Sequence, residues 1–66
     1  MIELRILDTQ RKEFIKHMDL PDGHPIPRVG EYLELGFMED YMVTKVVWAS
    51  DIGGGFYIRL EVEYLP

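Results

Sequence analysis

The closing stretch of the sequence, Phe56 to Leu65, alternates strictly between two sets of side chains. One set is Phe56, Ile58, Leu60, Val62 and Tyr64, and the other is Tyr57, Arg59, Glu61 and Glu63. A period of two is typical of a strand with one buried face, and it does not fit a helix. Because such a strand must be paired and covered to be stable, this segment predicts a β-sheet fold.

Three other segments favour strands. Residues 2–7 alternate as cleanly as the last segment, and residues 29–35 and 41–48 are rich in β-forming side chains. These segments are separated by the turn Pro21-Asp22-Gly23 and by the glycine-rich loop 49–55. Short strands separated by turns predict an all-β domain, a small five-stranded barrel that hides its sheet edges.

Strict alternation fails in the segment 41–48, where it would set Val43 on the face opposite Val46 and Trp48. A bulge near Thr44-Lys45 would bring all three onto the inner face and add the bend that barrel closure needs. The sequence therefore predicts a bulge at this point and Trp48 as a core residue.

Residues 12–20 fit two interpretations. In a hairpin returning along the first strand, Phe14, Met18 and Leu20 would face inward, and Lys16 would be the exception. We prefer this hairpin, which supplies the fifth strand.

The alternative is a short helix near residues 10–18. Phe14, Ile15 and Met18 would then share one face, and Asp8-Thr9 would supply the cap of the first turn. The sequence leaves this alternative open, because periodicity in so short a window discriminates poorly.

Composition bounds the kind of protein. The 66 residues make one domain, residues 1–66, and 47% hydrophobic side chains can build its core. There is no cysteine, so disulfides and thiolate metal sites are excluded, and self-association becomes an attractive way to stabilise so small a core. The charged, amphipathic start is unlike a secretory signal, and no stretch approaches the ~20 apolar residues of a membrane helix. We therefore expect a cytoplasmic protein.

Charge is distributed unevenly along the chain. Residues 1–28 hold five basic and five acidic groups, whereas residues 29–66 hold two and seven, which gives the net charge of -5. Non-specific nucleic-acid binding depends on phosphate neutralisation by Lys and Arg, so the acidic half argues against it. An acidic face could also attract a basic partner or mimic a nucleic-acid backbone. Its members would be Glu31, Glu34, Glu39, Asp40, Glu61 and Glu63.

Two segments carry a resemblance. They are Leu20-Pro21 followed by Pro27-Arg28-Val29-Gly30-Glu31, and the run Tyr41-Met42-Val43-Thr44-Lys45-Val46-Val47-Trp48. In this layout the chain resembles short bacterial and phage-encoded proteins of unassigned function. The resemblance implies an SH3-like β-barrel. Its motifs describe turns and core positions, and it brings no active site to this chain.

Apolar residues in segments that should be polar loops point to a protein-binding role. Aromatic and methionine side chains are enriched at the centres of protein interfaces. We expect a non-catalytic interaction module that binds a protein partner or a second copy of itself. Its predicted contact residues are Phe37, Met38, Ile52 and Tyr57, with Glu39 and Asp40 at the rim.

The alternative hypothesis is a small nucleic-acid-binding barrel. Basic side chains would contact phosphates, and an aromatic ring would stack on a base. The candidate residues are Arg11, Lys12, Lys16 and Arg28, with Tyr32 or Trp48 as the stacking ring.

Signals for catalysis and metal binding are weak. His17 and His24 lie near acidic residues but lack a third imidazole or a thiolate, so we expect no metal. Ser50-Asp51 has no histidine nearby in the sequence to complete a triad. Gly53-Gly54-Gly55 is followed by a predicted strand, whereas phosphate-binding loops lead into a helix. We expect no catalytic residue and no cofactor.

Overall fold

The structure, a computed structural model, describes residues 1–36 and 38–66. It is all β in this part of the chain, as predicted. The five strands are β1 (Ile2–Asp8), β2 (Glu13–Leu20), β3 (Tyr32–Gly36), β4 (Glu39–Ser50) and β5 (Phe56–Leu65). The alternative helix near residues 10–18 is wrong, because those residues form a turn and most of β2, the preferred hairpin.

The strands form one curled sheet in the order β2-β1-β5-β4-β3, consistent with a small SH3-like barrel. All neighbouring pairs are antiparallel except the central pair, in which β1 runs parallel to β5 with Leu4 opposite Ile58. Strands β2 and β3 are the two outermost strands, so the barrel is open between them.

The inner face of the central strands forms the core. Alternation in β1 and β5 sends every second side chain inward, and the residues between them line the outer face. The fully buried hydrophobic residues are Leu4, Ile6, Tyr41, Val43, Ile58, Leu60 and Val62. The alternation of β5 was therefore a correct guide to which face is buried.

The predicted bulge in β4 is confirmed. Val43 pairs with Val62 and Lys45 pairs with Glu61, so Thr44 is the extra residue. Its hydroxyl donates to the carbonyl of Glu61 at 3.1 Å. Since the bulge resets the alternation, both halves of β4 turn their apolar side chains to the same face.

A second bulge, in β2, corrects the prediction for Phe14. Lys16 pairs with Ile6 and Phe14 pairs with Leu7, which leaves Ile15 as the extra residue. Phe14 is thereby turned to the outer face and is 55% exposed, whereas Ile15 packs against the core in its place. Met18 and Leu20 face inward as predicted.

The connection between β2 and β3, residues 21–31, crosses the open side of the barrel, and we call it the strap. Its two prolines, Pro25 and Pro27, keep it extended. Ile26, between them, packs against the core. The strap joins the sheet at its end, where the Gly30 amide donates to the Val43 carbonyl at 2.9 Å and the Val43 amide donates to the Glu31 carbonyl at 2.9 Å.

Candidate functional site

The residues predicted to bind a partner lie at opposite ends of β4. Met38 immediately precedes this strand, and Ile52 follows it by two positions. The twelve residues of β4 span intervals of about 3.3 Å each, which separates the two ends of the strand by roughly 35 Å, somewhat less where the strand bends. The predicted set is therefore two separate groups, and a single small contact surface cannot include both.

The first group surrounds the turn between β3 and β4. Met38 is 85% exposed and has a φ of 58°, the left-handed conformation that side-chain-bearing residues avoid. Glu39 and Asp40 are exposed and begin β4. Phe37 lies outside the residues that the structure describes. The described part of this group presents one apolar side chain among carboxylates.

The second group includes Tyr57 and Ile52, and the structure separates their roles. Tyr57 lies on the outer face of β5, and the Arg5 guanidinium stacks over its ring at 4.0 Å from the centroid. The hydrogen bond to Glu3 raises the pKa of Arg5, whose guanidinium is charged at any ordinary pH in any case. Tyr57 is thus engaged with its own chain, whereas Ile52 projects fully into solvent from the glycine-rich loop.

An apolar surface that the sequence analysis missed lies at the Ile52 end. Trp48 pairs with Ile58, and Ser50 pairs with Phe56, so Trp48 and Phe56 are diagonal neighbours on the inner face. Trp48 is nevertheless 67% exposed, and Phe56 is also exposed. We call this surface the Trp48 face. Its exposed members are Val29, Trp48 and Phe56, together with Ile52 at its border, in the loop that joins β4 to β5.

The Trp48 face continues into a cleft beneath the strap. The cleft has a volume of about 470 Å³, and it is bounded by strap residues on one side and by Val46 and Trp48 on the other. Ile26 and Pro27 contribute apolar surface, and Arg28 contributes a cation. A larger cleft of about 870 Å³ lies on the other side of the strap, above Leu4 and Met18. The strap therefore divides the open side of the barrel into two grooves.

The exposure of Trp48 has a simple cause in the length of β3. Strand β3 pairs with β4 only as far as Met42, and the strap adds contacts at Val43. From Lys45 to Ser50, β4 is paired only with β5. Trp48 therefore has the orientation predicted for a core residue, but no further strand covers it, and its prediction as core is wrong. Nothing in the local sequence pattern marked where this pairing stops.

The residues of the nucleic-acid hypothesis do not form one surface. Arg11 lies in the turn between β1 and β2, beside the Asp8 carboxylate at 3.8 Å and the Glu13 carboxylate at 3.9 Å. Lys12 follows it in the same turn. Arg28 lines the cleft under the strap. The remaining two are Lys16 on the edge strand β2 and Tyr32, which pairs with Met42 on the outer face of β3.

The candidate catalytic and metal-binding residues are also dispersed. His17 lies on β2 with its Nε2 at 3.1 Å from Glu3, whereas the ring of His24 contacts the carbonyl of Pro25 in the strap. Ser50 pairs with Phe56 in the sheet. Within the described residues, neither histidine is hydrogen-bonded to Ser50. In residues 1–36 and 38–66, no three histidine or acidic side chains are arranged to hold a metal ion.

Comparisons with protein-family models, curated proteins and solved structures found no match. Within the described ranges, no helix has the length and apolar character needed to cross a membrane.

Proposed function

We propose that this domain is a non-catalytic protein-interaction module and that the Trp48 face is its docking surface. The observation that supports the proposal is the exposure of Trp48 on the inner face of the sheet, next to Phe56. An exposed, contiguous apolar patch on a small protein marks an interaction site more often than a scattered hydrophobic residue does. Of the contact residues predicted from the sequence, Ile52 lies at the border of this surface, in the loop that follows β4.

The residue types of the Trp48 face suit protein recognition. Tryptophan dominates interface hot spots because it buries a large area and loses little conformational entropy. The face contains one cation at its border, Arg28, and the nearby Asp51 is already close to Arg5 at 3.7 Å. A partner can therefore cover this surface without burying a row of carboxylates. We place this activity in the cytoplasm of a bacterium or of a phage-infected cell, following the resemblance of the sequence.

Site-specific photo-crosslinking in a bacterial cytoplasm tests the proposal. A benzophenone amino acid at position 52 should give discrete protein adducts, because Ile52 projects from the docking surface into solvent. The same probe at position 14 is the matched control, since Phe14 is an exposed apolar residue on the opposite face. Equal adduct patterns at the two positions would refute the Trp48 face as the docking surface.

A further inference from the structure

We infer that the partner of the Trp48 face is a second copy of this chain, bound face to face about a twofold axis. This inference depends on the proposed function, because it assigns an occupant to the same surface. In such an isologous interface each copy offers the same patch, so Trp48 and Phe56 of one copy pack against those of the other.

The area of the face is close to what a homodimer requires. An aromatic side chain buries about 150–250 Å² when covered, so the largely exposed rings of Trp48 and Phe56 offer roughly 300 Å², and the aliphatic side chains of Val29 and Ile52 raise the total to roughly 600 Å². A standard interface buries about 800 Å² per partner. The apolar strap residues that border the cleft, Ile26 and Pro27, extend the surface in that direction. The total accessible surface of the chain is 4833 Å², so covering this one face would remove a substantial fraction of it.

The open edge of β4 adds polar groups to the same surface. From Lys45 to Ser50 this strand pairs only with β5, so its other edge presents backbone donors and acceptors beside Trp48. Unpaired strand edges readily pair with another chain. A second copy therefore finds apolar side chains and hydrogen-bonding groups side by side.

The charge distribution permits two copies to meet at this face. The net charge of -5 makes copies of the chain repel one another overall. However, Glu39 and Asp40 begin β4 and Glu63 lies near the end of β5, at the opposite end of the sheet from Trp48. Contact through the Trp48 face keeps these carboxylates tens of ångströms apart, which is beyond the Debye length of about 10 Å in ordinary buffers.

The single tryptophan of the chain reports directly on this interface. Dilution of the protein from about 1 mM to about 1 µM, a range that spans the affinity of modest interfaces, should shift Trp48 emission to longer wavelength as the ring returns to water. Sedimentation velocity over the same range should show the dimer converting to monomer. Dimer formation without any change in Trp48 emission would overturn the inference, because the copies would then meet elsewhere.

Two substitutions and a matched control test which residues hold the dimer. Ile52→Asp should raise the dimer dissociation constant at least about tenfold, since it buries a carboxylate against an apolar surface. Ile52 is fully exposed in the monomer, so this variant should fold normally. Trp48→Ser should have a larger effect, and Phe14→Ser, an exposed aromatic on the other face, should have none.

The outcomes of these experiments distinguish a failure of the dimer inference from a failure of the proposed protein-interaction function. A chain that stays monomeric at about 1 mM, yet is crosslinked at position 52 to a different protein, overturns self-association and leaves the interaction module intact. A monomeric chain without adducts at position 52 overturns both. A dimer that Ile52→Asp weakens and Phe14→Ser does not supports both.

Discussion

Tyr41 and Trp48 lie on the same strand and face the same side of the sheet, yet Tyr41 is 3% exposed and Trp48 is 67% exposed. Around Tyr41 the inner face of β4 is covered. Leu33 lies opposite it on β3, and the Tyr64 ring meets it edge to face at 5.5 Å and 62°. Trp48 has Ile58 on one side and only the strap on the other.

The difference shows that facing inward and being buried are separate properties. The bulge at Thr44 makes the two halves of β4 equivalent in orientation. The two halves of β4 differ in whether other elements cover their inner-face side chains. Such cover is present at one end only, where it comes from the turn between β1 and β2 and from the short strand β3. At the end of the barrel around Tyr41, which we call the closed end, the inner face is therefore buried, whereas the Trp48 face is left exposed to solvent.

The largest expected contrast is between the alanine substitutions of the two aromatic residues. Tyr41→Ala should cost about 3–5 kcal/mol of folding free energy because it leaves a cavity in the core. Trp48→Ala should cost less than about 1 kcal/mol in dilute protein, where the ring is solvated. Urea denaturation followed by circular dichroism at low protein concentration measures both. Similar losses for the two variants would mean that Trp48 is a core residue after all.

The second contrast concerns Asp8, which is 1% exposed at the closed end. Its Oδ1 accepts hydrogen bonds from the amides of Gln10 at 2.9 Å and Arg11 at 3.3 Å, and these hold the turn. Asp8→Ala should destabilise the domain by about 1–3 kcal/mol, because two turn donors lose their acceptor. Asp8→Asn keeps an acceptor oxygen and should recover part of the loss in the same urea titration. An alanine variant as stable as the parent would show that Asp8 does not stabilise the closed end.

A smaller effect of opposite sign is expected at Lys12. Its φ of 58° is left-handed, a conformation that glycine adopts at no steric cost. Lys12→Gly should therefore stabilise the domain by up to about 1 kcal/mol, as a rise in the midpoint of thermal unfolding. Lys12→Ala keeps the side-chain penalty while removing the charge, and it serves as the control. Stabilisation by both variants would identify charge, and not backbone conformation, as the cause.

The smallest expected effect is a difference in stability between the parent and a Tyr41→Phe variant, and it appears only at alkaline pH. Burial raises the pKa of Tyr41 above its ordinary value of 10.0, and the carboxylates of Glu39 and Asp8 add to the shift. A raised folded-state pKa gives stability that is fully present below the unfolded value and is lost as the pH rises through the folded one. The free energy of unfolding should therefore fall above pH 10 more steeply in the parent than in Tyr41→Phe. Parallel curves for the two proteins would contradict this prediction.

Local pattern was enough to predict which face of the central strands is buried. The alternation of β5 identified Ile58, Leu60 and Val62 as core, and the broken alternation near Thr44 located the bulge. Both features depend on neighbours within one strand and its partner. In the edge strand β2 the pattern was weaker, because one side of that strand faces solvent. The sequence pattern of β2 therefore did not predict the bulge at Ile15 or the outward orientation of Phe14.

The candidate site was less accessible to sequence reasoning, because it depends on where strands stop. Met38 and Ile52 both look like apolar residues in loops, and only the length of β4 shows that they lie far apart. Trp48 has the orientation of a core residue, and its exposure follows from β3 pairing no further than Met42. Cover by a partner strand is a tertiary property that no local pattern encodes.

The parallel pairing of β1 with β5 has a consequence for how the chain reaches this structure. Leu4 and Ile58, which are neighbours in the sheet, are more than fifty positions apart in sequence. A ribosome-bound chain that still lacks its last strand can form the β1–β2 hairpin, but it cannot join this hairpin to β4, because β5 lies between them in the sheet. Non-local closure of this kind slows folding. Until the last strand arrives, Leu4 and Ile6 stay open to water, so this domain should acquire its cooperative structure only after synthesis of Phe56–Leu65.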